Sequence, residues 1–178
     1  MSNNNQQLIE ASKYYSVTPE GRLSRDSTPY PMDSRAKMGV GIDHVDTKGY
    51  LRLNHRPCKF DKFVLIRSHR MIFYIVNGYL PDQVDHIDQN KQNNHPSNLR
   101  PATNSQNQMN QKSFKGSSSK YLGVSWEKGV KKWKASISVK GKKINLGRFH
   151  SEDDAASIRN LAAIEHFGEF ASLNLIGL

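Results

Sequence analysis

Between Val84 and Asn107 the chain reads V-D-H-I-D-Q-N-K-Q-N-N-H-P-S-N-L-R-P-A-T-N-S-Q-N. Asp85 and His86 are adjacent, Asn98 follows His86 by twelve positions, and Asn107 follows it by twenty-one. No other stretch limits the possible folds so tightly. The apolar residues before the Asn-rich run allow only a short strand. The run itself, with Pro96 inside it, has the composition of a turn. Thr103 followed by Gln106 has capping-box spacing and predicts a helix start. The expectation is a strand over 83–88, a turn over 89–96, and a helix from 103 that carries Asn107 on its second turn.

The residue types belong to one kind of chemistry. A single-metal phosphodiesterase needs a ligand for a hard cation, a general base, and a group that holds the base in place. Mg²⁺ is octahedral, keeps several waters and takes few protein ligands. Asp85 offers it a charged oxygen and Asn107 a neutral amide oxygen. An imidazole titrating near neutrality can take a proton from the attacking water, and His86 fits that role. Asn98 is the candidate to fix its tautomer and orientation. Adjacent strand residues point to opposite faces. Asp85 and His86 can therefore share a site only if the strand ends or twists there.

This segment resembles the HNH nucleases, in the branch where the last His is replaced by Asn. The resemblance covers roughly residues 45–110 and includes Gly49-Tyr50-Leu51-Arg52 and His69-Arg70-Met71. It implies a ββα-metal domain with one divalent cation, Mg²⁺ or Mn²⁺. His86 matches the base, Asn98 the orienting residue, and Asp85 and Asn107 the metal ligands. A second Asp-His pair, Asp43-His44-Val45-Asp46, lacks the later amides: the equivalent positions are Arg56 and Leu65. It reads as strand or loop. His69 opens an apolar run and reads as packing, His95 as solvated turn, and Arg70 as a surface or structural residue.

Charge separates the two halves. The chain carries +10 overall, and residues 111–150 alone carry +10. A localised basic block attracts polyphosphate and releases counterions on binding. No amphipathic basic helix or long apolar run points to membrane. Within the block, Trp133, Ala135, Ile137 and Val139 alternate with Lys and Ser, which is strand spacing. Gly141 turns the chain, and residues 142–149 repeat the alternation after a first strand over 121–126. The polar face would present Ser125, Lys132, Lys134, Ser136, Ser138, Lys143, Asn145 and Arg148 to a DNA groove.

Ser151 and Asp154 then predict a capped helix with an acidic first turn. Its alanines 155, 156, 162 and 163 would lie close on the sheet, with Ile158, Leu161 and Phe167 completing the core and Gly168 as the stop. This half resembles the APETALA-two/ethylene-response-factor DNA-binding domain. The matches are Tyr121-Leu122-Gly123-Val124, Trp133-Lys134-Ala135-Ser136-Ile137, Leu146-Gly147-Arg148-Phe149, the paired alanines and Leu173-Asn174. The resemblance implies that the sheet reads DNA. Ser125, Glu127, Ser138 and Asn145 stand where that family carries several Arg and Trp residues, which argues against tight sequence selectivity.

Together these readings predict an α+β chain. A nuclease domain spans 1–110 and a basic linker 111–120. A three-stranded antiparallel sheet packed on one helix spans 121–175. The strand at 63–67 leads into a helix whose apolar face is Met71, Ile72, Ile75, Val76 and Tyr79, ended by Pro81. Cys58 is the single cysteine, so it makes no internal disulfide or thiolate zinc site and reads as packing. The polar N-terminus lacks an apolar signal segment, which predicts a cytoplasmic enzyme, phage-encoded and acting in its host. The expected partner is double-stranded DNA, with no membrane or protein partner evident. The expected function is metal-dependent hydrolysis of DNA as a homing or phage nuclease. A DNA-binding regulator with a decayed nuclease is the alternative. RNA binding is disfavoured by the lack of exposed aromatic platforms.

Overall fold

The computed structural model describes residues 3–27, 38–40, 42–55, 63–109 and 117–177. Cys58 and most of the expected linker lie outside them. The chain forms two compact units, Met1–Thr103 and Asn104–Leu178, both mixed α/β with antiparallel sheets.

In the first unit α1 (Asn3–Ser12) precedes three short strands, β1 (Tyr15–Val17), β2 (Leu23–Arg25) and β3 (Gly39–Val40). These pair in order as one sheet. A second sheet joins β4 (His44–Val45), β5 (Leu51–His55) and β6 (Val64–Arg67), and β6 runs directly into α2 (Ser68–Asn77). A hairpin of β7 (Gln83–His86) and β8 (Leu99–Ala102) completes the unit, with a 3₁₀ turn at Pro96–Asn98 between its strands. Leu8, Ala11, Leu23, Leu53, Ile66, Met71, Ile72, Phe73, Val84 and Leu99 form its core.

α2 ends earlier than Pro81 would dictate. Gly78 takes the left-handed conformation (φ 77°) and its N–H closes on Tyr74 O, a stop that glycine makes without steric cost. Val76, in the helix's last turn, and Tyr79, past its end, are both exposed. Tyr79 lies past the helix and meets Phe73 edge-on at 5.4 Å. Phe73, not Tyr79, completes the buried face.

The second unit begins with α3 (Asn104–Met109) and continues through β9 (Val124–Glu127), β10 (Lys132–Val139), β11 (Lys142–Phe149) and α4 (Glu152–Phe167). The sheet order is β11-β10-β9. The first strand starts at Val124 rather than Tyr121, because Gly123 (φ 77°) bends the chain against Ser136 O. A Cβ there would lie 2.5 Å from that oxygen. Ser151 Oγ accepts from the N–H groups of Asp153 and Asp154, capping α4 as its spacing requires. Ala155, Ala156, Ala162 and Ala163 are buried against the sheet residues. Leu161, expected in the core, is 63% exposed. The stripe defined by 155, 156, 159, 162 and 163 turns position 161 outward, and Arg159 is buried instead, donating to Ser172 O.

Candidate active site

Antiparallel pairing in the hairpin places Asp85 opposite Arg100 and His86 opposite Leu99. Cross-strand partners share a face, and Arg100 donates from Nε and Nη2 to Asp85 Oδ2 at 2.9 and 2.8 Å. Asp85 and His86 are each 4% exposed. β7 stops at His86, two residues before the expected end. The chain then turns, with Gln89 N–H donating to His86 O and Gln89 itself at φ 61°. Ending the strand relieves the strict alternation of faces, and the Asp85 carboxylate is near enough for its charge to act on the imidazole.

The imidazole is oriented by a residue the spacing did not suggest. His86 Nε2 donates to Asn94 Oδ1 at 2.9 Å. The Asn98 side chain is committed elsewhere. Its Oδ1 accepts from Asp88 N–H (3.0 Å), and its Nδ2 donates to Asp88 Oδ1 (2.9 Å) and Asn93 O (2.7 Å). Its backbone carbonyl also accepts from Ile87 N–H. Asn98 thus clips the loop across its neck, and it touches the backbone of Asn93 beside the residue that holds the ring. The physical reason is geometric: Asn98 ends the 3₁₀ turn, where its amide faces the loop's unpaired backbone groups. Asp88 is the hub of that loop. Burial raises its pKa, but hydrogen bonds from Asn93, Asn90 N–H and Asn98 outweigh this and hold the carboxyl below its usual range.

His69, at the start of α2, packs on the same imidazole. The two rings lie 5.0 Å apart, and Tyr50 lies 5.2 Å from His69 and 6.0 Å from His86. His69 is therefore buried packing, as its apolar context predicts, but packing on His86. Burial, then the neighbouring charges of His86, Arg67 and Arg70, push His69 well below its normal pKa. His86 is also lowered, chiefly by burial. The Asn94 bond and the Asp88 and Asp85 charges oppose that shift, and Lys91 adds to it. A neutral ring at physiological pH follows. On two residues against it, His69 Nδ1 and Asn94 Nδ2 are buried without a hydrogen-bond partner among the described residues.

Arg100 could have been found by counting back through the hairpin, and Asn94 by its place in the same loop. His69 and Tyr50 carry no local signal, because α2 and the β4–β5 turn reach the hairpin only through the fold. Elsewhere the expectations are simpler. His44 lies exposed on β4 and accepts from Arg52 Nε. His95 is an exposed turn residue that caps the 3₁₀ turn. Arg70 is structural, donating to Pro81 O, Asp82 O and Asn5.

Asn107 lies half-buried on α3, which belongs to the second unit. In that unit the strand register groups the expected DNA-facing residues. Lys134 stands opposite Ser125 and Arg148, Ser136 opposite Asn145, Ser138 opposite Lys143, and Lys132 opposite Glu127. Two of the set are less available than their spacing implies. Arg148 is bound at 2.5 Å by Glu127, and Ser136 is 9% exposed.

The hairpin carries a buried Asp-His pair and an Asn-clipped loop. Residues 67–109 match the family model described as HNH endonuclease. The chain is 40% identical over 137 residues to an uncharacterized HNH endonuclease of Acanthamoeba polyphaga mimivirus, covering 72% of this chain and 67% of that one. It is 35% identical over 89 residues to Protein 3.8 of Escherichia phage T7, covering 49% and 71%. No solved structure matches. The chain belongs to the HNH endonuclease family, and the relatives named here are viral.

Proposed function

We propose that the protein hydrolyses phosphodiester bonds of double-stranded DNA with one divalent cation, Mg²⁺ or Mn²⁺. The observation that carries this reading is the His86 imidazole. It is buried, held neutral, fixed by Asn94, and set beside the Asp85 carboxylate. His86 takes the proton of the attacking water, and Asn94 keeps its ring in plane for the transfer. Asn98 acts at one remove by holding the loop, so it is a positioning residue.

The donors on offer, the Asp85 carboxylate and the Asn107 amide, are hard oxygens of the kind Mg²⁺ and Mn²⁺ prefer over Zn²⁺. A cation held by these two would neutralise charge developing on the leaving oxygen. On this reading β7, β8 and α3 form a ββα-metal arrangement. Arg100, donating to Asp85 Oδ2 from across the hairpin, aims the carboxylate.

The sheet of residues 124–149 with α4 is read as an APETALA-two/ethylene-response-factor type module. It adds non-selective DNA affinity through Lys132, Lys134, Lys143 and Asn145, with Ser125 and Ser138 beside them. The working domain scheme is 1–110 for the nuclease, 111–120 for the linker and 121–175 for the binding module. The test is an end-labelled duplex incubated with Mg²⁺, Mn²⁺, Zn²⁺ or EDTA. Cleavage with the first two, weaker cleavage with Zn²⁺ and none in EDTA are expected. Full cleavage in EDTA would exclude the mechanism.

A further inference from the structure

We propose that Arg67, Tyr50 and Lys91 form a phosphate clamp on the nuclease unit, gripping the DNA backbone beside His86. This rests on the nuclease reading and moves part of the backbone contact away from the basic block at 111–150. Tyr50 stands just before β5, its ring packed against His69 and His86. Arg67 Cζ lies 4.8 Å and Lys91 Nζ 4.7 Å from its centroid. Both cationic residues are exposed, and neither forms an ion pair among the described residues. Lys91 is not loosely tethered, because its Nζ donates to Lys48 O at 3.0 Å across the loop.

The register of the second sheet adds an independent argument. Arg52 on β5 stands directly opposite Arg67 on β6. Like charges at such positions destabilise a sheet. The nearby Asp46 carboxylate feels both arginines, but its oxygen is engaged by the N–H groups of Lys48 and Tyr50. A cation–π contact at an exposed site is weak and does not make up for crowding three cations. A polyanion laid across them removes the repulsion. The position follows from the rings: the same tyrosine that holds the cations touches the imidazole, so a bound backbone passes within one ring of the base.

The experiment is duplex binding by the full chain in EDTA, measured against salt, for wild type, Arg67→Gln, Lys91→Gln and Lys13→Gln. Lys13 is exposed and paired with Glu10 on α1, which makes it the control. Each clamp substitution should lower the slope of log affinity against log salt by about 0.9, one phosphate's worth. The Lys13 variant should keep the wild-type slope. Circular dichroism melts of the same samples verify folding, and a double variant should lose about twice as much slope. Clamp variants that fold and keep the wild-type slope overturn the proposal. Because cutting is not needed, failure of wild type to cleave would sink the nuclease reading while this measurement still decides the clamp.

Discussion

The proposed general base, His86, must be neutral before it acts; burial lowers its pKa and Asn94 fixes the ring. His86→Ala should therefore lower kcat by about 10²–10⁴-fold. Asn94→Ala leaves the imidazole but frees it, and its loss should be smaller, about tenfold, and carried by kcat rather than KM. Asp85→Asn should abolish cleavage with duplex affinity in EDTA kept. It also removes the negative charge paired with the largely buried Arg100 side chain, and breaking such a pair costs about 3–5 kcal/mol. A urea titration must accompany the assay to show that the variant is folded. Asp85 and His86 stand out in the sequence by their spacing to the two asparagines, and the structure buries both on β7; their catalytic roles are the proposal. Asn94 and Arg100 follow only once the hairpin register and loop are known, and His69 reaches the ring through a long-range contact that spacing along the chain does not encode. The role expected of Asn98 shifted for the same reason: its distance from His86 is right for a clip across the loop neck, and the loop, not the ring, presents the unpaired groups.

Secondary-structure elements were readable where an apolar pattern or a cap marked them, and ten-residue α1, half of it Asn and Gln, was not expected. β10, β11 and α4 repeat their apolar pattern often enough to identify. The two- and three-residue strands β1 to β4 have no period to read. Asn98→Ala belongs to the element scale. It removes three side-chain bonds from the hairpin loop and should cost about 2–3 kcal/mol by urea denaturation. It should also lower kcat, because Asn94 sits in the loop it releases. β5 carries a separate prediction. His55 is buried with Nδ1 3.2 Å from Tyr15 Oη, and burial, with the nearby Arg25 charge, pushes its pKa down to about 4. The unfolded chain takes up that proton near pH 6.5, whereas the folded chain resists it until about 4. Stability is thus fully present above the unfolded value and is lost as pH falls through this window, by about 1–3 kcal/mol. Urea midpoints measured across the window should drop for wild type and drop less for His55→Gln. Equal drops would place the acid sensitivity elsewhere.

At the scale of the whole molecule the proposed function divides labour between a unit that cuts and a basic sheet that adds affinity. Lys134 and Lys143 lie on the sheet face shared by Ser125 and Ser138. Reversing both to Glu in the full chain should weaken duplex binding and flatten its salt dependence by roughly two phosphates' worth. The rate at saturating DNA should stay near wild type. A collapse of that rate with affinity intact would mean the sheet serves chemistry instead. The measurement closest to the central claim is conversion of supercoiled plasmid to nicked or linear product in Mg²⁺ by wild type, His86→Ala and His44→Ala, compared side by side. Asp43-His44 repeats the Asp-His pair without the later asparagines, so it controls for residue type and isolates position. Wild type and His44→Ala should convert plasmid at similar rates and His86→Ala should not, while equal rates for all three, or equal losses from both substitutions, would contradict the assignment of the site.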